Sequence, residues 1–258
     1  MTRIIALILC LWCVAPARGQ DGQPDRRGEV VAQKPYYRGV AIPRPIDPKF
    51  HMRNEGGSNG AGLCVISSVI ANGNAQGVPG LDAPDQNGAI GKGSPLWTTA
   101  KRRPGGYSPD KLARLVDEVM PSETYASFIT RDPEELAAKL EQLSKEGYKV
   151  GITMNTGQLY RYMPIHHMVS NDYFRRDGYA AIVDNNRPGF WSFMPAKEMV
   201  RRSFDGGVAW LWIWTRKPSP WAVPNLPVRP DTLVPYVVPA LLWLAGWIRR
   251  RLPARAAA

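Results

Sequence analysis

Cysteine and histidine are both scarce in this chain, three of each among 258 residues. Cys10 and Cys13 stand in the leading apolar run, so Cys64 is the only thiol of the main body. One thiol excludes an internal disulfide framework and a cysteine-based zinc site, and the His166-His167 pair has no ligand helix beneath it. The glycine-rich stretch from Gly56 to Gly62 lacks the Lys-Ser/Thr ending of a phosphate-binding loop. Internal repeats are missing too. The formal charge of +11 shrinks once the two ends are set aside, leaving 27 basic against 22 acidic residues between Gln20 and Ile248. That surplus is too small to argue for a nucleic-acid partner. The expectation is a chain without metal or cofactor.

What is present begins at the two ends. Met1-Thr2-Arg3, the apolar run Ile4 to Val14 and Ala15-Pro16-Ala17-Arg18-Gly19 have the layout of a signal peptide, 1–19. Thr232 to Ile248 carries no charge over 17 residues and is followed by Arg249-Arg250-Arg251. This is long enough for a short transmembrane helix, with Trp221, Tyr236, Trp243 and Trp247 as interfacial aromatics and a basic cytoplasmic tail, 249–258. The intervening chain is then expected on the outer side of the cytoplasmic membrane, anchored at its C-terminus.

Between these ends, 20–50 is polar and then proline-rich, which reads as an extended arm. Residues 51–215 form one expected domain, and 216–231 a proline-rich stalk. Val65, Ile66, Val69 and Ile70 share a helix face from Leu63 to Ala71, with Asn72-Gly73 as its stop. From Gly73 to Gly106 the density of glycine and proline predicts a long irregular excursion with a short regular segment near Leu96 to Ala100. Ser108-Pro109-Asp110 and Asp132-Pro133-Glu134-Glu135 are helix starts, their apolar stripes being Leu112, Leu115, Val116, Val119 and Leu136, Leu140, Leu143. Strands are expected at Tyr125 to Thr130, Tyr148 to Met154, Ile165 to Val169 or onward to Phe174, Tyr179 to Val183 and Val208 to Thr215. Asp177-Gly178 supplies a hairpin turn. Helices first and antiparallel strands second make an α+β domain.

Cys64 falls in the first turn of a buried helix, behind a flexible glycine loop. Free backbone N–H groups and the positive end of the helix dipole meet there, and both favour a thiolate. A cysteine nucleophile also needs a base and a group that orients the base. His166-His167 in one strand and Asp184-Asn185-Asn186 at the end of the next supply both. His51 has no partner visible in sequence and reads as structural.

The order cysteine, histidine, then Asn or Asp resembles that of the papain-like cysteine peptidases. Gly62-Leu63-Cys64 is similar to that family's glycine two before the nucleophile, and His167-Met168-Val169 to its histidine opening a strand. Ile182-Val183-Asp184-Asn185, shortly before Trp191, is similar to the strand that ends in the orienting asparagine. The resemblance implies a papain-like fold, a catalytic Cys64, His167 rather than His166 as base, and Asn185 as third member, with Asp184 open as the alternative. The family's oxyanion glutamine has Ser58 in its place, and Asn59 is the nearest amide. Val65 replaces the usual aromatic after the cysteine. The implied activity is cleavage of peptide or isopeptide bonds in a peptide or protein substrate through an acyl-enzyme. A transglutaminase-like acyl transferase and a catalytically silent surface module use the same residues.

Overall fold

A computed structural model describes residues 28–55, 62–103, 106–155 and 167–217. The leader 1–19, the stalk beyond 217, the apolar span 232–248 and the tail 249–258 lie outside the described residues. Among the described residues no helix is long and apolar enough to cross a membrane.

The chain is mixed α+β. Its strands are β1 (Val30–Ala32), β2 (Tyr36–Tyr37), β3 (Val40–Ala41), β4 (Tyr125–Thr130), β5 (Val150–Met154), β6 (His167–Phe174), β7 (Tyr179–Val183), β8 (Trp191–Pro195) and β9 (Ala209–Trp214). Its helices are α1 (Cys64–Ala75), α2 (Pro95–Lys101), α3 (Pro109–Val119), α4 (Pro133–Lys145) and α5 (Ala196–Ser203). Seven strands form one sheet in the order β1-β8-β7-β6-β5-β9-β4, every neighbouring pair antiparallel, and β2 and β3 form a separate two-stranded ribbon.

Alternation along β9 shows how the layers arise. Trp210, Trp212 and Trp214 join Ile66, Val69, Leu112 and Leu115 in a core under α1, α2 and α3. Ala209, Leu211 and Ile213 point the other way, into a core with Leu136, Leu140 and Leu143 of α4 and Met199 of α5. Period-2 side chains buried on both faces require helices on both sides of the sheet, and the helix stripes supply them. Each fully buried leucine contributes about 1.5–3 kcal/mol relative to exposure. Local caps fix the helix starts: Ser108 accepts from Lys111 N–H, and Asp132 from Glu134 and Glu135 N–H.

Two expectations are corrected. The helix bearing Cys64 does not stop at Asn72-Gly73 but runs to Ala75, with Gly73 in its interior. A Cβ at Gly73 would run into Leu81 Cδ1 and lie 2.9 Å from Trp214 Nε1, whose N–H donates to Val69 O at 2.9 Å. The glycine is there for close approach, not for termination. The described part of the 20–50 arm is packed on the domain and joins its sheet. β1 completes the sheet edge beside β8, and Val30, Tyr37, Ile42 and Ile46 pack with Val183, Trp191 and Phe193 in a third core. Buried Asp172 fastens this segment by accepting from Ile46 N–H at 3.1 Å and Trp191 Nε1 at 2.7 Å, and by pairing with buried Lys149 Nζ at 2.6 Å. The domain therefore begins before His51.

Candidate active site

Helix α1 is buried along nearly its whole length, because it lies between the sheet and the α2–α3 layer. Its first residue is Cys64, which is only half-buried. Helix N-termini leave backbone N–H groups without intrahelical partners, and here Met168 N–H from β6 and Val65 N–H both favour the charged form of the sulfur. Leu63 N–H donates to Glu55 O at 3.1 Å, closing the base of the glycine loop that precedes the nucleophile.

His167 opens β6 and is buried, and its ring and the Cys64 sulfur are close enough to shift each other's titration. Its Nε2 lies 3.0 Å from Asp184 Oδ1. Asp184 follows the last residue of β7, the strand paired with β6, so the sheet places base and carboxylate side by side. Burial opposes charging the ring, but the hydrogen bond and charge of Asp184 and of the sulfur outweigh it and push the His167 pKa up to about 9. Burial likewise pushes the Cys64 thiol up. The hydrogen bond and charge of His167, with the two backbone N–H groups, bring it below its ordinary 9.0. Both shifts run in the direction of a thiolate–imidazolium pair.

Asn185 is placed differently from the expectation that it orients the imidazole. Its NH₂ is shared among Cys64 O at 3.0 Å, Ser68 Oγ at 2.9 Å and Met168 O at 2.9 Å. The turn that follows β7, closed by Arg187 N–H on Asp184 O at 2.8 Å, gives Asp184 to the ring and Asn185 to the backbone. Asn185 thus ties the end of β7 to the first turn of α1 and to β6. Asn59, Ser58 and His166 lie outside the described residues. His51 is a clamp: its Nε2–H donates to Ile46 O at 3.1 Å while Nδ1 accepts from Gly189 N–H at 3.1 Å. Burial pushes its pKa down and holds it neutral.

No family model and no curated protein matches this chain.

The site therefore stands on its own geometry. Three more residues converge on it, one of them marked in sequence only as part of the Asp184-Asn185-Asn186 run. Asn186 sits 3.2 Å from His167 Nε2 and gives its N–H to Asp184 Oδ1 at 2.8 Å, although its sequence neighbourhood reads as turn composition. Asn54 reaches Asn186 at 3.1 Å from across the glycine loop, and Ser68 bridges Asn185 to Met168 O. No pattern in the sequence singles out either. Concavity would also have misled. A depression of about 1410 Å³ between Pro43, Ser144, Phe174 and Lys197 includes none of these residues. The site is defined by convergent side chains. Among the described residues no group of acidic, cysteine and histidine side chains is arranged to hold a metal ion.

Proposed function

We propose that this chain is a cysteine hydrolase of papain-like type, acting on peptide or isopeptide bonds through Cys64, His167 and Asp184. The observation that carries the reading is a buried imidazole that lies 3.0 Å from a carboxylate and is coupled to a half-buried thiol at a helix N-terminus. The Cys64 thiolate attacks the acyl carbon, and the carbonyl electrons move onto oxygen. In this reading the Cys64 backbone N–H, in the first helical turn, is the donor that stabilises that oxyanion. Collapse of the tetrahedral intermediate expels the amine, which takes the proton from His167, leaving a thioester on Cys64. His167, now neutral, removes a proton from water, the hydroxide attacks the thioester, and Cys64 leaves as thiolate with the imidazolium restored. Asp184 fixes the ring and stabilises its charged form throughout.

In the same reading, the leader exports the domain and the apolar span 232–248 tethers it to the outer side of the cytoplasmic membrane, where it meets peptide or protein substrates. Cys64→Ala is expected to abolish both turnover of a quenched-fluorescent peptide library and labelling by an epoxide probe, with an unchanged circular dichroism spectrum. Residual turnover in that variant refutes the assignment. Replacing water by a labelled amine acceptor separates hydrolysis from transglutaminase-like acyl transfer. A wild-type thiol that resists iodoacetamide at mildly acidic pH leaves only the silent surface module.

A further inference from the structure

His167 Nε2 has two side chains within hydrogen-bond distance, Asp184 Oδ1 at 3.0 Å and the Asn186 amide, placed with Nδ2 toward the ring, at 3.2 Å. An ionised carboxylate only accepts, so Nε2 carries a proton when it faces Asp184. A protonated Nε2 has no lone pair left, and an NH₂ group turned toward it would set donor against donor. The two ends of an asparagine amide have the same shape and are distinguished by their network. Here the network selects the oxygen. With that oxygen on the ring, the Asn186 NH₂ faces Asn54, whose amide lies 3.1 Å away. Turning both amides together keeps that contact as one donor to one acceptor. The backbone holds both residues in place, since Asn54 N–H donates to Asn185 O at 2.7 Å and Asn186 N–H to Asp184 Oδ1 at 2.8 Å.

We propose that Asn186 is a positioning residue of the thiol site: its side-chain oxygen accepts a second share of the His167 Nε2–H hydrogen bond beside Asp184, and Asn54 braces that amide from across the nucleophile loop. The inference rests on His167 being the base of Cys64. A three-centre bond of this kind ties the ring at two points on one side. It also explains why a second side-chain amide converges on a nitrogen that Asp184 already serves.

The test follows the His167 ring by NMR with ¹⁵N-labelled histidine in the full chain, where three histidines make assignment tractable. Asn186→Ala is expected to lower the apparent pKa of His167 by about one pH unit, the effect of losing one acceptor from a charged donor. Asn54→Ala moves it in the same direction by less. Asn186→Asp, which offers acceptors only, restores the wild-type value or exceeds it. Had the NH₂ been the end facing a bare Nε2, Asn186→Ala would raise the value instead. A rise or no change in Asn186→Ala, or an Asn186→Asp variant that titrates like Asn186→Ala, overturns the proposal. Failure of the underlying reading shows elsewhere. Cys64→Ala with Asn186 intact lowers the His167 pKa if sulfur and ring are coupled, and an unchanged titration there removes the thiol site itself.

Discussion

Replacing Asp184 by asparagine preserves shape and removes one charge from the imidazole. His167 titrates at about 9 against an ordinary 6.5, held up against burial by Asp184 and the Cys64 sulfur. A hydrogen bond to a charged group contributes about 1.5–3 kcal/mol, and one pKa unit corresponds to about 1.4 kcal/mol. Asp184→Asn is therefore expected to bring the His167 value down by about one to two units, to about 7–8. The sign follows from linkage. A raised histidine stabilises the fold fully below 6.5, and that contribution is lost as pH rises through about 9. In the variant the loss begins one to two units earlier. A weaker imidazolium also holds the thiolate less well, so the acidic end of the ion-pair window moves up while the alkaline end moves down. Ultraviolet thiolate absorbance and histidine NMR read the two ends independently, and a bell-shaped kcat/KM profile narrows from both sides. An unchanged window in Asp184→Asn, combined with a narrowed one in Asn185→Ala, would return the orienting role to Asn185 and refute the assignment of Asp184.

Two further outcomes follow from packing and from surface charge. Gly73→Ala forces a methyl group against Leu81 and Trp214 and is expected to destabilise the fold by about 1–3 kcal/mol in urea unfolding, despite alanine's better helix propensity. Glu198 is held at a pKa of about 2, below its ordinary 4.5, by hydrogen bonds from Arg201 and Arg202 that outweigh its burial. Its contribution is present above pH 4.5 and disappears as pH falls through about 2, so Glu198→Gln should cost about 1–2 kcal/mol at neutral pH and almost nothing near pH 2.

The parts of the fold legible in sequence were those specified locally. Ser108 and Asp132 announce their helices because a cap needs only the next three residues, and Asp177-Gly178 marks its turn for the same reason. Cys64 and His167 were legible because a helix start and a strand start each have local signatures. What stayed hidden depends on partners distant in sequence. Gly73 looked like a helix stop because sequence does not show Trp214 pressing on it. The segment after Gly28 looked like a linker because its few apolar residues are buried only once Trp191 and Phe193 arrive. Asp184 and Asn185 are neighbours at a strand end, and the turn geometry alone decides which of them meets the ring. Asn54 has no pattern at all, since its relevance comes from a contact across the glycine loop.

The Asn185 amide has one consequence that bears on synthesis. It joins Cys64 O, Ser68 Oγ and Met168 O only after the late strands have docked on an early helix. Until then the sulfur has no imidazole beside it and titrates like any cysteine in a loose chain. If Cys64 is the nucleophile proposed above, its reactivity depends on β6 and β7 being docked on α1. Labelling of Cys64 by an electrophile at low pH would then report on that docking.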